Sequence, residues 1–197
     1  MKLNALYFFT KTVDFRREKP ELQPITIKGQ PVETVKSYKY LGMVIDDKLD
    51  WTEHIRACCK KGNQRLFFLR KLKKFRVDPK IMSLFFQSVV QSVTLYNIVC
   101  FLGSAKKTDV DQLGKIIRTA ERIIKEELPS INSIYEKTAI RKLNKIRSDP
   151  SHPLHPVLTA QTPARSASRR LRSFKCRTNR FLDSYLPSAV RLLNATT

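Results

Sequence analysis

One stretch of this sequence carries no charged side chain: neither Lys, Arg, Asp nor Glu occurs between Lys80 and Lys106. A segment of this length either crosses a membrane or forms a helix in the centre of a globular core. Polar and apolar residues recur at helical spacing on two sides of it: Ser83, Gln87, Gln91 and Thr94 against Phe85, Val89, Val93 and Tyr96. The polar side favours a buried central helix over a membrane span, and we expect no membrane partner.

Helical periodicity also surrounds this segment. At Asp50 the apolar period changes from two to about 3.6 residues, and Asp50 with Glu53 fits a capping box for a helix that ends near Phe75. Gly62 is expected to loosen or break that helix. Asp78-Pro79 opens the uncharged helix, a third helix is predicted from about Asp109 to Glu127, and Ser130 is predicted to cap a fourth.

The residues before Asp50 are typical of short strands. "ITIKGQPVETVKSYKYLGMVI" predicts two or three strands with a turn at Gly29-Gln30-Pro31, and Leu6 to Phe15 predicts an earlier strand. The residues expected to pack this region are Ile25, Ile27, Val32, Val35, Tyr38 and Tyr40.

These patterns predict an α+β fold that is mainly α: a short N-terminal β hairpin or sheet, a basic bundle of about four helices, and an irregular C-terminal tail. We divide the chain into a β region at 1–50, a helical domain at 51–148, and a basic Pro/Ser-rich connection with a short closing helix at 149–197.

The charge balance predicts a polyanionic partner. The 197 residues contain 38 Lys and Arg against 17 Asp and Glu, a net charge of +21. Nucleic acid is the first candidate and an acidic membrane surface the second. The predicted phosphate contacts are Lys60, Lys61, Arg65, Arg70, Lys71, Lys73, Lys74, Arg169, Arg170, Arg172, Lys175 and Arg177. The aromatic residues interleaved with basic ones, as stacking faces, are Tyr38, Tyr40, Trp51, Phe67, Phe68, Phe75 and Phe174. The alternative for the basic helix is a solvated surface without a ligand.

The sequence offers little for catalysis. Its cysteines, Cys58, Cys59, Cys100 and Cys176, have neither zinc-site nor disulfide-framework spacing, which favours reduced thiols in the cytoplasm or nucleus. The histidines stand without further ligands, and no Gly-rich phosphate loop occurs. Asp46-Asp47, near a strand end, is interpreted as a turn, and a divalent-ion site is the alternative. We therefore expect no catalytic residue, no metal and no cofactor.

Several blocks in a fixed order carry a resemblance. "VDFRREK", "SYKYLGMVIDDKLDW", "KKGNQRLFFLRKLKKF", "LFFQSVVQSVTLYNIV", "QLGKIIRTAERII", "DPSHPLH" and "KCRTNRFLDSYLPSAVRLLN" follow one another from about Val13 to Asn194. In this order they resemble the carboxyl-terminal part of a vertebrate LINE-type, non-LTR retrotransposon reverse transcriptase.

The resemblance implies a primer grip at the segment from Ser37 to Ile45, with Tyr38, Tyr40, Leu41 and Gly42 against the nucleic-acid backbone. It also implies that residues 1–50 are a palm edge and that the helices from Trp51 onward are a thumb, which binds RNA, DNA or an RNA/DNA hybrid. The family's catalytic Phe/Tyr-Ala-Asp-Asp turn is absent from this sequence. We therefore expect a non-catalytic fragment that does not polymerise.

A second resemblance covers residues from about Phe9 to Trp51. This stretch is similar to the short N-terminal segment of the AlkB-homologue tRNA-modifying protein, whose full-length form has dioxygenase and methyltransferase domains. It implies, as the alternative, an accessory segment of a methyltransferase or 2-oxoglutarate-dependent dioxygenase. The iron-binding His-x-Asp…His set and a Gly-rich methyl-donor loop are missing here, so the residues do not support either activity.

Overall fold

Two small antiparallel hairpins precede the helices in the computed structural model, which describes residues 10–16, 24–162 and 170–196. β1 (Thr26–Ile27) pairs with β2 (Gln30–Pro31), and β3 (Ser37–Tyr40) pairs with β4 (Met43–Asp46). Each turn has two residues with positive φ, Lys28-Gly29 at 50° and 77° and Leu41-Gly42 at 46° and 84°. Such turns match the right-handed twist of the paired strands.

The first hairpin differs from the sequence-based expectation. Its turn lies at Lys28-Gly29 rather than at Gly29-Gln30-Pro31, and Ile25 and Ile27 are exposed instead of packed. The predicted strand from Leu6 to Phe15 lies partly outside the described residues; within them Thr12 forms a single parallel bridge to Thr34. Among the described residues, no second layer packs against these two-residue strands, which accounts for the exposed isoleucines.

The first helix, α1 (Thr52–Lys74), is unbroken. Asp50 does not form the predicted capping box, because Trp51 is the N-cap residue, at φ 65°, and no side chain caps the helix from that position. The Asp50 carboxylate instead accepts the Thr52 N–H at 3.0 Å. Asp50 therefore stabilises the helix start from one residue upstream of the cap.

The uncharged segment is helical but divided. It comprises α2 (Pro79–Phe85), a π-helical turn (Phe86–Gln91), α3 (Ser92–Thr94), α4 (Ile98–Phe101) and a 3₁₀ turn (Leu102–Ser104). Asn97 at φ 53° separates α3 from α4. Among the described residues, Pro79–Ser104 is the helical stretch long and apolar enough to cross a membrane, and 39% of its most apolar window is buried. Composition and length alone are weak evidence for a span, and one side of the segment, with Met82, Phe86 and Val90, belongs to the core.

The remaining helices complete the core. They are α5 (Lys107–Ile124), α6 (Ile131–Ser148), α7 (His155–Thr159), α8 (Asn179–Leu182) and α9 (Tyr185–Thr196). The predicted helix start at Asp78-Pro79 is confirmed, and there Asp78 accepts the Lys80 N–H at 2.8 Å. The predicted cap at Ser130 is confirmed as well, because Ser130 accepts the Ser133 N–H at 3.2 Å. The predicted fold class, mainly helical after short N-terminal hairpins, is confirmed, whereas the division at residues 50 and 148 stays a prediction.

Gly62 lies where α1 comes close to α3 and α5. A Cβ at this position would lie 2.4 Å from Thr94 Cγ2 and 2.8 Å from Ile116 Cδ1. The glycine thus lets α1 approach α3 and α5. The expectation that Gly62 loosens or breaks α1 was wrong.

Candidate nucleic-acid interface

One side of α1 is buried and the other carries cations and phenylalanines. Ile55, Cys59, Leu66 and Leu69 face the core. On the opposite side, every third or fourth residue is exposed. We call this stripe, together with its exposed neighbours, the outer face. Its residues are Lys60, Lys61, Gln64, Phe67, Phe68, Arg70, Lys71 and Lys74. From Lys60 to Lys74 the outer face extends about 21 Å along the helix.

The outer face has a positive electrostatic potential that no acid offsets locally. No Asp or Glu occurs in the sequence between Glu53 and Asp78. Within residues 10–16, 24–162 and 170–196, no carboxylate forms an ion pair with any cation of the outer face. Lys71 and Lys74 also lie in the last turn, where cations stabilise a helix against its dipole. That effect explains these two lysines but not Lys60 and Lys61, which lie in the middle of the helix.

Two predicted contacts on α1 are partly withdrawn from solvent. Arg65 is half-buried, and its guanidinium donates to the Val89 carbonyl in the π-helical turn. Lys73 is half-buried as well. Arg65 therefore joins α1 to the π-helical turn of the uncharged segment.

The aromatic residues predicted to stack fall into two groups. Phe67 and Phe68 are 52% and 55% exposed, and Phe75 is exposed beyond the end of α1. Trp51 is buried, with its indole N–H donating to Ser104 Oγ at 3.0 Å, and Phe174 is half-buried against Phe181. A stacking role is therefore open to the α1 phenylalanines and not to Trp51.

The predicted primer-grip residues form the tip of the second hairpin. Tyr40 and Leu41 are among the most exposed large side chains, and Tyr38 is half-buried. A Cβ on Gly42 would lie 3.6 Å from the Tyr96 ring, so the tip lies against the uncharged segment. The positive φ of Gly42 and this close approach together account for the glycine.

The C-terminal basic run is held in an extended conformation. Arg169 lies outside the described residues, whereas Arg170, Arg172, Lys175 and Arg177 are exposed. Asn194 of α9 pairs with the backbone of Leu171, accepting its N–H at 3.0 Å and donating to its carbonyl at 2.8 Å. The side chain of Leu171 is buried, so this anchor fixes the segment while its basic residues face solvent.

The acidic turn and the His/Cys pair both have structural roles. Asp46 accepts the N–H groups of Lys48 at 2.9 Å and Asp50 at 3.2 Å, as expected of a turn-forming carboxylate. His54 Nδ1 accepts the Val44 N–H at 3.3 Å, and its Nε2 lies 3.6 Å from Cys58 Sγ. Burial lowers the pKa of His54 and raises that of Cys58, which keeps both groups neutral. In the described part of the chain, no three His, Cys, Asp or Glu side chains are grouped to hold a metal.

One cleft was not anticipated from the sequence. It has a volume of about 590 Å³ and lies between α5, α6 and α9, where Lys107, Tyr135 and Arg191 contribute to its walls. Arg191 is 3.6 Å from Asp183 and donates to the Leu182 carbonyl at 3.1 Å. No local pattern signals such a cleft, because its residues come from separate segments brought together by helix packing.

Comparison with known proteins gives one family match. Residues 51–92 match the family described as "Alkylated DNA repair protein alkB homolog 8, N-terminal". No curated protein matches the chain, and no solved structure matches it. The resemblance to an AlkB-homologue N-terminal segment is thus confirmed, but it lies on α1 and the first half of the uncharged segment rather than on residues 9–51. The reverse-transcriptase resemblance receives no support from these comparisons and stays a prediction.

Proposed function

We propose that this chain is a non-catalytic nucleic-acid-binding module and that the outer face of α1 is its contact surface. The observation that carries the proposal is the exposed row of Lys60, Lys71 and Lys74 with Phe67 between them, on a helix side without an acid. Lysines placed in this way neutralise phosphates and release their counterions. RNA, DNA and an RNA/DNA hybrid share the phosphate backbone and are all candidate partners, in the cytoplasm or nucleus.

The family match supports this assignment. The matched residues 51–92 contain the whole outer face, and the family is named after a protein that repairs alkylated DNA, which is a nucleic-acid substrate. We therefore favour an accessory segment of the AlkB-homologue type, which binds nucleic acid and leaves chemistry to other domains. Methyltransferase and dioxygenase activities are not assigned to this chain, because the sequence lacks the ligand and methyl-donor motifs that they need.

The second candidate is the thumb and primer grip of a retrotransposon reverse transcriptase. The exposed tip of the second hairpin, with Tyr40 and Leu41, favours it, because a primer grip presents such a tip to the primer strand. The genomic DNA upstream of the Met1 codon distinguishes the two origins. Degenerate codons for Ala-Asp-Asp in that DNA would favour the polymerase origin, and their absence would favour the AlkB-type segment.

The binding surface is tested by the salt dependence of affinity. Fluorescence anisotropy with a labelled 20-nucleotide strand and a 20-bp duplex gives the slope of log Kd against log salt, to which each neutralised phosphate contributes roughly 0.7 for the strand and 0.9 for the duplex. The triple variant Lys60→Gln, Lys71→Gln, Lys74→Gln should lower the slope by about two for the strand and by nearly three for the duplex, roughly three phosphates in each case, while circular dichroism shows the helix content retained.

A matched control changes the net charge equally. The triple variant Lys115→Gln, Lys137→Gln, Lys145→Gln removes three exposed cations from α5 and α6. This control should reduce the slope of log Kd against log salt by less than half of the reduction expected for the outer-face triple variant. Equal losses for both triples would show that net charge and not the outer face drives binding, and a wild-type slope below one would contradict the proposal altogether.

A further inference from the structure

We infer that the outer face of α1 selects unpaired bases, so that its ligand is single-stranded nucleic acid. This inference rests on the proposed function and narrows it. Phosphate neutralisation alone does not distinguish a single strand from a duplex, because both present a charged backbone. The distinguishing feature is the pair of exposed phenylalanines within the row of lysines.

Phe67 and Phe68 form an aromatic platform in solvent. Their ring centroids are 5.6 Å apart with an interplanar angle of 78°, so the pair presents a ring face beside a ring edge. Both rings are about half exposed although the core of the protein is built without them. Exposed aromatic rings bind unpaired bases of any sequence, because every base has a π-face.

The lysines are placed to hold the backbone on both sides of this platform. Lys60 lies about two turns before Phe67, and Lys71 and Lys74 lie about one and two turns after it. The Lys71 ammonium lies over the Phe67 ring, 5.2 Å from its centroid, so a base that stacks on Phe67 takes the opposite face of the ring or displaces this lysine. The outer face, about 21 Å long, has room for several nucleotides of an unpaired strand.

The same features argue against a duplex and against a membrane. In a duplex the base faces are stacked inside the helix, where Phe67 and Phe68 cannot reach them. A membrane-surface helix needs a continuous apolar face opposite its cations. Here Lys60, Phe67 and Lys71 share one side of the helix, and the continuous apolar side is already buried in the core.

The test compares three probes with the full chain at one salt concentration. They are labelled dT12, a labelled 12-bp duplex and vesicles containing phosphatidylserine. Wild-type protein should bind dT12 at least about fivefold more tightly than the duplex. Phe67→Ala and Phe68→Ala should each weaken dT12 binding by about fivefold or more and change duplex binding by less than about twofold.

Two further variants make the readout specific. Phe15→Ala removes an aromatic ring of matching exposure, 51%, outside α1 and should leave dT12 binding unchanged. Phe67→Trp should retain dT12 affinity, and its new indole fluorescence should be quenched as a base stacks on it. The natural Trp51 is buried and should contribute a constant background.

The failures of the two proposals are distinguishable. Binding of the duplex as tightly as dT12, or dT12 affinity unaffected by Phe67→Ala and Phe68→Ala, would overturn the single-strand inference and leave nucleic-acid binding intact. No binding of dT12 or duplex at low salt would overturn the proposed function itself. Tighter binding to the vesicles than to either oligonucleotide would overturn both and identify a membrane surface.

Discussion

Replacing Gly62 by alanine should destabilise the protein, although the same change in most helices is stabilising. Alanine in a helix interior is favoured over glycine by about 1 kcal/mol. At Gly62, however, the added methyl group would lie 2.4 Å from Thr94 Cγ2 and 2.8 Å from Ile116 Cδ1. Real Cβ atoms do not approach other carbons this closely, so α1, Thr94 or Ile116 must move.

The cost of that movement exceeds the gain in helix propensity. Thr94 and Ile116 are both buried, and the Thr94 hydroxyl donates to the Val90 carbonyl at 3.0 Å, which resists rotation of the side chain. Overpacking of this kind costs up to about 3 kcal/mol. After subtraction of the propensity gain, Gly62→Ala should lower the free energy of unfolding by about 2 kcal/mol. For a chain of this size the melting temperature should fall by about 4–8 °C.

Gly114 supplies the matched control. It lies in α5, where an added Cβ would first meet the Arg118 guanidinium at 3.1 Å, the movable end of a long side chain. Gly114→Ala should therefore raise the free energy of unfolding by about 0.5–1 kcal/mol. Urea denaturation followed by circular dichroism measures both variants. A second substitution, Thr94→Ser, removes the methyl group at 2.4 Å and should recover part of the loss in the Gly62→Ala background.

The close helix crossing at Gly62 is tested by whether Gly62→Ala and Gly114→Ala change the free energy of unfolding in opposite directions. If Gly62→Ala stabilises the protein as Gly114→Ala does, then α1 does not cross α3 and α5 at close range and Gly62 acts through backbone flexibility alone.

Two predictions concern pH. The Asp50 carboxylate accepts hydrogen bonds from the Lys106 ammonium at 2.9 Å and from the Thr52 N–H, which lowers the pKa of Asp50 to about 2. The contribution of Asp50 to the stability of the fold is therefore complete above about pH 4 and is lost as pH falls toward 2. Asp50→Asn should therefore lower the free energy of unfolding at pH 7 by at most about 1 kcal/mol, given the exposure of the pair, and by less at pH 3; an equal loss at both pH values would refute the ionic explanation. Burial lowers the pKa of His54, and a protonated Nδ1 cannot accept the Val44 N–H, so the free energy of unfolding should decline as pH falls below about 6.5. In His54→Gln the melting temperature should lose that part of its pH dependence. An unchanged pH profile would exclude His54 as its source.

Much of the helical part could be predicted because its signals are local. Ser130 caps its helix as expected and the uncharged helix begins at Asp78-Pro79 as expected, since a short side chain that accepts an N–H within three residues needs no distant partner. The change of period at Asp50 likewise located the start of α1 to within a few residues.

The incorrect predictions concern residues whose role depends on tertiary packing. Gly62 was expected to break α1 because helix propensity considers the residue by itself, whereas the close crossing with α3 and α5 requires a residue without Cβ. Ile25 and Ile27 were expected in a core because alternation predicts one buried side, but in the part of the chain that the structure describes no second layer covers the first hairpin. The interruption at Asn97 left no clear signal in an apolar sequence.

Some features of the candidate site could likewise be predicted from the sequence, whereas others depend on tertiary packing. The sequence by itself determined that the protein is strongly basic, mainly helical and unusually rich in cations on α1, because charge and periodicity are summed along the chain. Only the tertiary structure decided which of those residues face solvent: Arg65 joins α1 to the uncharged segment and Trp51 enters the core, while Phe67 and Phe68 stay outside. Burial depends on which helices pack together, and that packing is fixed by contacts between residues far apart in the sequence.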